Sequence, residues 1–409
     1  MNKIALHWQI LVAVVAGTLA GGVLGETVLH VEFLGTLFLK ALRMIIVPLI
    51  ATSIITGVAG LGGAAGFGRM GIRTLLYYLG TSLLAILTGL ILVNLLKPGV
   101  GVELGLAQPP DKLAESMSRF GDSPFHAVVR LLLDIVPANP FEAMSEGKIL
   151  QIIFFCLLFG YFITRLPETP RDTLTRFFES CFEVMMRITH LIISFAPIGI
   201  FALVSKTVAT TGFEALGGLG IYVITVLVGL AIHAVISLPA VLLIVGRGNP
   251  RQHAKAMAPA LLTAFSTSSS SATLPLTMES LEKRAGVSNR TTSFVAPLGA
   301  TVNMDGTALY ECVAAMFIAQ AYGVELGFGQ QLLVVVTALL ASIGAAGIPM
   351  AGLVMISVIL TAVGLPLEGV GLILAVDRVL DMCRTTVNVW SDSCGAVVVE
   401  RQIGPAEGS

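Results

Sequence analysis

The chain has 409 residues, 55% of them hydrophobic and only 12% charged, with a mean hydropathy of +0.90. These values exclude an ordinary soluble domain and describe an all-α polytopic membrane protein. Formal net charge is -1, so no global field points to nucleic acid or to an acidic partner, and local charge placement carries the information instead. The five cysteines, Cys156, Cys181, Cys312, Cys383 and Cys394, lack metal or disulfide spacing and read as packing residues.

Apolar segments of spanning length run from Leu6 to Leu29, Phe33 to Gly60, Leu75 to Leu96, Phe125 to Leu166, Phe177 to Val208 and Leu219 to Val245. Met1 to Gln9 carries one Lys and shows no convincing cleavage site, so the first helix is expected to be retained. The fourth segment is too long for one straight helix and contains Pro137, Pro140 and Gly147, which predicts a broken element. Lys97 to Pro124 reads as an exposed connection. With the N-terminus cytoplasmic, Arg69 and Arg73, then Arg165, Arg171 and Arg176, then Arg247, Arg251 and Lys255 all fall inside.

After Lys255 the simple alternation fails. Ala256 to Leu281 is followed by Lys283, Arg284 and Arg290, which also belong inside, and it contains Thr267 to Ser271 (TSSSS) with Pro259 and Pro275. A re-entrant hairpin over about 256–284, turning at the serines, satisfies both facts. Thr291 to Ala321 then crosses outward. Leu332 to Leu365 is interrupted at Ala341 to Gly352 (ASIGAAGIPMAG), which predicts a second hairpin with an unwound tip over about 332–365. Neither flank carries Lys or Arg, so charge alone does not set its side; if it too is re-entrant, two hairpin-plus-helix units of opposite entry lie in series, the pattern of an inverted repeat with broken helices meeting near the midplane.

The last apolar run, Val370 to Val399, holds the densest polar face. At about 100° per residue, Asp381, Arg384, Thr385, Asn388 and Asp392 fall within an arc of roughly 100°, with Trp390 on the opposite side. Ionised groups at membrane depth cost on the order of 3 kcal/mol each or more, so they imply partners, water or cargo. A planar, permanently charged Arg384 suits a carboxylate held bidentately; a structural pair with Asp381 is the simpler reading, although Asp381 is equally placed for a cargo ammonium. In Asn303 to Glu311 (NMDGTALYE), Gly306 beside Asp305 predicts local unwinding, and exposed carbonyls with carboxylates suit Na⁺. The competing reading is a kink with a satisfied buried Asp. Glu311, flanked by apolar residues, fits a proton carrier, because burial disfavours an ionised carboxylate. Tyr78, Thr81 and Ser82 share a helical face, which in isolation is ordinary for a membrane helix. The serine tip offers backbone N–H and hydroxyl donors to a carboxylate. An intramembrane serine protease is set aside, because no His follows His253 and both His253 and Lys283 fall at the expected surface.

Thr267 to Pro275 (TSSSSATLP), Asn303 to Glu311, Ala341 to Gly352 and Asp381 to Asp392 (DMCRTTVNVWSD), in this order, resemble the glutamate transporter homologues, the dicarboxylate/amino acid:cation symporters. That resemblance covers essentially the whole chain. It implies a homotrimer in the cytoplasmic (inner) membrane, with both termini cytoplasmic. Each protomer would have eight transmembrane helices and two re-entrant hairpins. Elements over about 6–61 and 125–209 would form a trimerising scaffold, and those over about 74–97 and 217–403 a transport domain moving by an elevator motion. Arg384 would hold the cargo side-chain carboxylate and Asp381 its amino group, with Thr385, Asn388, Thr307, Ser269, Ser270, Gly352 and Ile348 completing the pocket. Sodium would bind Asp392 with Gly299, Asn303 and Asn388; Asp305 with Asn303, Tyr78, Thr81 and Ser82; and Thr301, Met304, Ser342, Ile343 and Ala345. The family's additional arginine, found in members at positions matching Ser268 or Met382, is at neither here; Arg378 lies one turn before Met382. Glu311 matches proton-coupled members, so H⁺ co-transport is expected, while K⁺ counter-transport is left open. Trp390 and Ser391 replace smaller residues, with a packing effect expected of Trp390.

The reading is therefore a non-enzymatic symporter of L-glutamate or L-aspartate driven by Na⁺ and H⁺. A C4-dicarboxylate symporter is the alternative within the family, although Asp381 would repel a second carboxylate. An ion channel or structural membrane protein is the alternative from a different class.

Overall fold

A computed structural model describes residues 6–60, 69–102, 129, 133, 135–211, 214–344 and 351–403. The described residues are helical, with no strand among them. The helices are α1 (Leu6–Leu24), α2 (Glu32–Gly60), α3 (Arg69–Leu96), α4 (Pro140–Glu146), α5 (Ile149–Ile163), α6 (Glu168–Ser194), α7 (Ala196–Thr211) and α8 (Glu214–Ile232). They continue as α9 (Leu238–Ile244), α10 (Pro250–Thr267), α11 (Ser270–Lys283), α12 (Asn289–Val302), α13 (Asp305–Ala321), α14 (Phe328–Gly344), α15 (Ala351–Val363) and α16 (Val370–Ile403).

Local chemistry explains most of the boundaries. Asn139 caps α4 by accepting from the N–H groups of Phe141 and Glu142, with Pro140 in the first turn, and Gly147 ends that helix in the left-handed region at φ 68. The long fourth segment is thus broken between α4 and α5, as its prolines and Gly147 predict. The fifth segment, read as one span over Phe177 to Val208, is instead two helices bent by 51°. Pro197 explains the break: it lies in the first turn of α7, where its missing N–H and ring end the preceding ladder. A π-helical turn, His233–Ser237, joins α8 to α9 just before Pro239, where a proline likewise removes a donor.

The first hairpin begins earlier than 256, at Pro250, because Asn249 accepts from Arg251 and Gln252 and starts α10 there. It turns at the serines: Ser268 adopts φ 52, and Ser269 caps α11 by accepting from the Ala272 N–H. α14 and α15 pack together as the arms of the second hairpin. Residues 345–350 between them, with Ala345 and Ile348, lie outside the described residues, as does most of the connection from Lys97 to Pro124. Among the described residues, three helices are long and apolar enough to cross a membrane (Thr27–Ala59, Met70–Leu96, Leu219–Ile244), or four if the bent α6–α7 pair is one span.

α1, α2, α5, α6 and α7 pack chiefly on one another, whereas α3, α8, α10–α12, α14 and α15 surround α13 and α16. A second apolar cluster joins Ile46, Ile50 and Ile54 of α2 and Ile152 and Cys156 of α5 to Met304, Ala341, Met355 and Val358. α13 is buried from Asp305 to Ala319.

Close packing of α1 on α7 depends on small residues. A Cβ at Gly21 would lie 2.5 Å from the Ser205 carbonyl oxygen and 2.9 Å from Val208 Cβ, whereas one at Gly80 would meet nothing within 4 Å. Gly21→Ala is expected to cost about 1–3 kcal/mol through overpacking. Gly80→Ala should be neutral, or stabilising by up to about 1 kcal/mol through helix propensity. Thermal melts followed by size-exclusion chromatography in detergent compare the two; equal melting temperatures would contradict the packing account.

Candidate functional site

Arg384 is the largest fully buried side chain, with no exposed surface. Its Nη2 donates to Asp381 Oδ1 at 2.8 Å and lies 3.1 Å from Asp377 Oδ1. The guanidinium stands over the Tyr310 ring, 3.8 Å from its centroid, and Tyr310 in turn donates its hydroxyl to Asp377 Oδ1 at 2.7 Å. Nε and Nη1 of Arg384 have no hydrogen-bond partner among the described residues, and neither carboxylate oxygen of buried Glu311 has one. The second hairpin reaches this group through Gly352, where a Cβ would fall 2.6 Å from Arg384 Nη1. A side chain there would have to displace the guanidinium.

One turn further along α16, Asn388 joins the interrupted helix. Its Oδ1 accepts from the Gly306 N–H at 2.8 Å, and its Nδ2 donates to Thr307 Oγ1 at 3.1 Å. The helix break falls at Asn303 and Met304 (ψ 88 and 58) rather than at Gly306. Gly306 has a different role: it sits in the first turn of α13, where a Cβ would lie 2.6 Å from the Arg384 carbonyl oxygen. The glycine marks close approach between backbones, and the unwinding precedes it.

Asp305 collects hydroxyl groups from two helices. Ser82 donates to its Oδ1 at 2.6 Å and Ser391 to its Oδ2 at 2.6 Å, with Thr81 Oγ1 3.3 Å from Oδ1. His233 Nε2 lies 3.1 Å from Oδ2, and both side chains are fully buried. With Asp305 ionised, this contact would require the His233 proton on Nε2. Ser391 also accepts from Asn303 Nδ2 at 3.0 Å, which donates to Asp392 Oδ1 at 2.8 Å. Gly299 adjoins that carboxylate, since a Cβ there would be 2.5 Å from Asp392 Oδ1 and 2.8 Å from the Tyr78 hydroxyl. Tyr78 donates to the Val295 carbonyl at 2.7 Å. Carboxylate, amide and hydroxyl oxygens around an unwound turn are donors suited to a hard cation.

The remaining expected positions divide. Thr385, Thr307, Ser269 and Ser270 are buried, as are Met304 and Ser342. Ser342 donates to Leu339 O at 2.8 Å. Thr301 is exposed and donates to Leu298 O at 3.1 Å, so its hydroxyl is not turned toward Met304 in this arrangement. Ile343 lies in the last turn of α14, its side chain not among those described, and Ala345 and Ile348 fall in 345–350. Arg378 is half-buried, whereas Asp377 beside it reaches Arg384. Trp390 points away from the polar face and donates to Ala234 O at 3.0 Å. Sequence reasoning missed Asp377, Tyr310 and His233. The four- and seven-residue steps from Asp377 to Asp381 and Arg384 carried the first signal; a lone His in an apolar span carried a weak one.

Buried charge held beside an interrupted helix, in a helical bundle with apolar helices long enough to cross a membrane, defines a polytopic membrane transporter. The chain belongs to the sodium:dicarboxylate symporter family, whose model matches residues 6–402. It is 38% identical to excitatory amino acid transporter 3 of Mus musculus, over 97% of this chain and 85% of that protein. It is 36% identical to the proton/glutamate-aspartate symporter of Escherichia coli (strain K12), over 98% and 93%. It is 34% identical to the proton/sodium-glutamate symport protein of Geobacillus stearothermophilus, over 99% and 96%.

Removing Arg384 would leave two buried carboxylates without a cation. Arg384→Ala is therefore expected to destabilise the protein by about 3–5 kcal/mol. Asp377→Asn should cost less, since an amide oxygen still accepts from Tyr310, and adding it to Arg384→Ala should recover part of the loss. Thermal melts of the three variants check this ordering, and a wild-type melt for Arg384→Ala would refute the pairing.

Proposed function

We propose that this protein is a secondary active transporter that takes up L-glutamate or L-aspartate together with Na⁺ and H⁺. The observation that carries the reading is Arg384: a fully buried guanidinium whose Nε and Nη1 have no hydrogen-bond partner among the described residues, beside Asp381 and the backbone of Gly352. A zwitterionic cargo with an extra carboxylate complements that arrangement, its side-chain carboxylate on Arg384 and its ammonium on Asp381. Thr385, Asn388, Thr307, Ser269, Ser270, Gly352 and Ile348 complete the proposed pocket. The names of the relatives support the same cargo.

The proposed Na⁺ ligands are Asp392 with Gly299, Asn303 and Asn388; Asp305 with Asn303, Tyr78, Thr81 and Ser82; and Thr301, Met304, Ser342, Ile343 and Ala345. For the third group, Thr301 must turn inward when the cation binds. Glu311 is the proposed proton carrier, a role supported by its burial and its lack of hydrogen-bond partners among the described residues. The proposed scaffold covers about 6–61 and 125–209 and the transport domain about 74–97 and 217–403, in a homotrimer of eight-span protomers in the cytoplasmic membrane, with both termini inside. The elevator motion is supported by the apolar character of the cluster between α2, α5 and the second hairpin. The C4-dicarboxylate alternative is disfavoured by Asp381, whose carboxylate would face the second carboxylate of such a cargo.

Purified protein in liposomes is expected to concentrate labelled aspartate or glutamate under an inward Na⁺ gradient. Succinate should compete weakly, and the absence of concentrative uptake would sink the proposal. In the same assay Glu311→Gln should carry cargo with no response to an imposed pH gradient; an unchanged response would remove Glu311 from the proton path.

A further inference from the structure

On the side of α16 away from the polar face, α9, α10 and α16 enclose a groove of about 860 Å³. Its size falls within the roughly 300–1,000 Å³ typical of small-ligand sites. The walls are apolar, formed by Val235, Leu243, Leu261, Val387 and Trp390. Val235 and Leu243 are 72% and 60% exposed, so the groove opens outward rather than into the protein. The mouth is different, because Arg247 and Arg251 stand there with Asn249 between them. Arg247 takes a left-handed backbone (φ 47) just beyond the end of α9, a position that glycine usually fills. Holding a long basic side chain there at the expense of backbone comfort points to a use for the guanidinium.

The alternation of basic connections assigns Arg247 and Arg251 to the cytoplasmic boundary of the bilayer. From there the trough runs up into the hydrocarbon. Basic groups at headgroup level above an apolar cleft between helices are complementary to an amphiphile with an anionic head. We propose that this groove binds one anionic phospholipid, its acyl chain along Leu243, Leu261 and Trp390 and its phosphate held by Arg247 and Arg251. A second copy of the chain fits less well, because covering the mouth would strip water from two guanidinium groups without supplying anions. The inference rests on membrane placement and is independent of which solute is carried.

Trp390 reports on its own wall. In the Trp8→Phe variant it is the only tryptophan, so lipids with brominated acyl chains quench its fluorescence on contact. In phosphatidylcholine vesicles, brominated phosphatidylglycerol is expected to quench with roughly fivefold or higher apparent affinity than brominated phosphatidylcholine, the worth of one basic group or more. Arg247→Gln with Arg251→Gln should abolish the preference. Arg247→Lys with Arg251→Lys, and Arg165→Gln with Arg171→Gln, should keep it, with folding of each variant checked by size-exclusion chromatography. Equal quenching by the two lipids, quenching by neither, or a preference that survives the double Gln variant would overturn the proposal. So would relief of quenching by millimolar inorganic phosphate, which would mark a simple anion site.

Discussion

A guanidinium with no exposed surface, buried in a protein surrounded by lipid, is the constraint on which the rest of this architecture depends. The cost of desolvating such a charge is several kcal/mol, so compensation has to be close and well aimed. Two carboxylates on the same helix and the face of Tyr310 supply it. To bring those groups within reach, α13 approaches the α16 backbone at Gly306 and the second hairpin approaches the Arg384 guanidinium at Gly352. Small residues at these sites are thus consequences of the charge rather than separate features.

The second polar layer follows from the same geometry. Asp305, Ser391, Asn303 and Asp392 form a continuous hydrogen-bonded series linking α13, α16 and the turn before α13, with Ser82 of α3 attached at one end. Directional bonds of this kind, once buried, are expensive to break. α3, α12, α13 and α16 are therefore bound into one unit. The cluster that joins α2 and α5 to Met304 and the second hairpin is apolar throughout. Dispersion contacts can be exchanged for others of similar quality, which makes this boundary the one suited to the proposed sliding motion.

Much of this was legible in the sequence, because membrane depth removes most alternatives. A run of serines between apolar arms has few places to go, and the turn between α10 and α11 falls at Ser268 and Ser269. The helical spacing of Asp381, Arg384, Asn388 and Asp392 fixed a shared face. What spacing could not supply was depth across the fold. Asp377 lies on the same face yet just before the stretch where the polar residues crowd, and its importance comes from Tyr310 on another helix. Thr301 shows the converse, a residue on the expected stretch of α12 whose hydroxyl turns back to its own helix. The bend at Phe195 depended on one proline inside an otherwise continuous apolar run.

His233 and Trp390, each unremarkable or odd on its own, belong to a single device. The π-helical turn begins at His233, and the wider coil changes the angular step between successive residues. His233 directs its ring to Asp305, while the carbonyl of the next residue, Ala234, accepts from Trp390. Asp305 meets Ser391 of α16, the immediate neighbour of Trp390. Two adjacent residues of the turn thus clasp two adjacent residues of α16, one through a buried carboxylate and one directly. The turn is sustained by Pro239, which cannot return a bond to the residue four before it. A proline, a histidine and a tryptophan that look unrelated along the chain fix the sixth apolar segment onto α16 at the level of the candidate cation site.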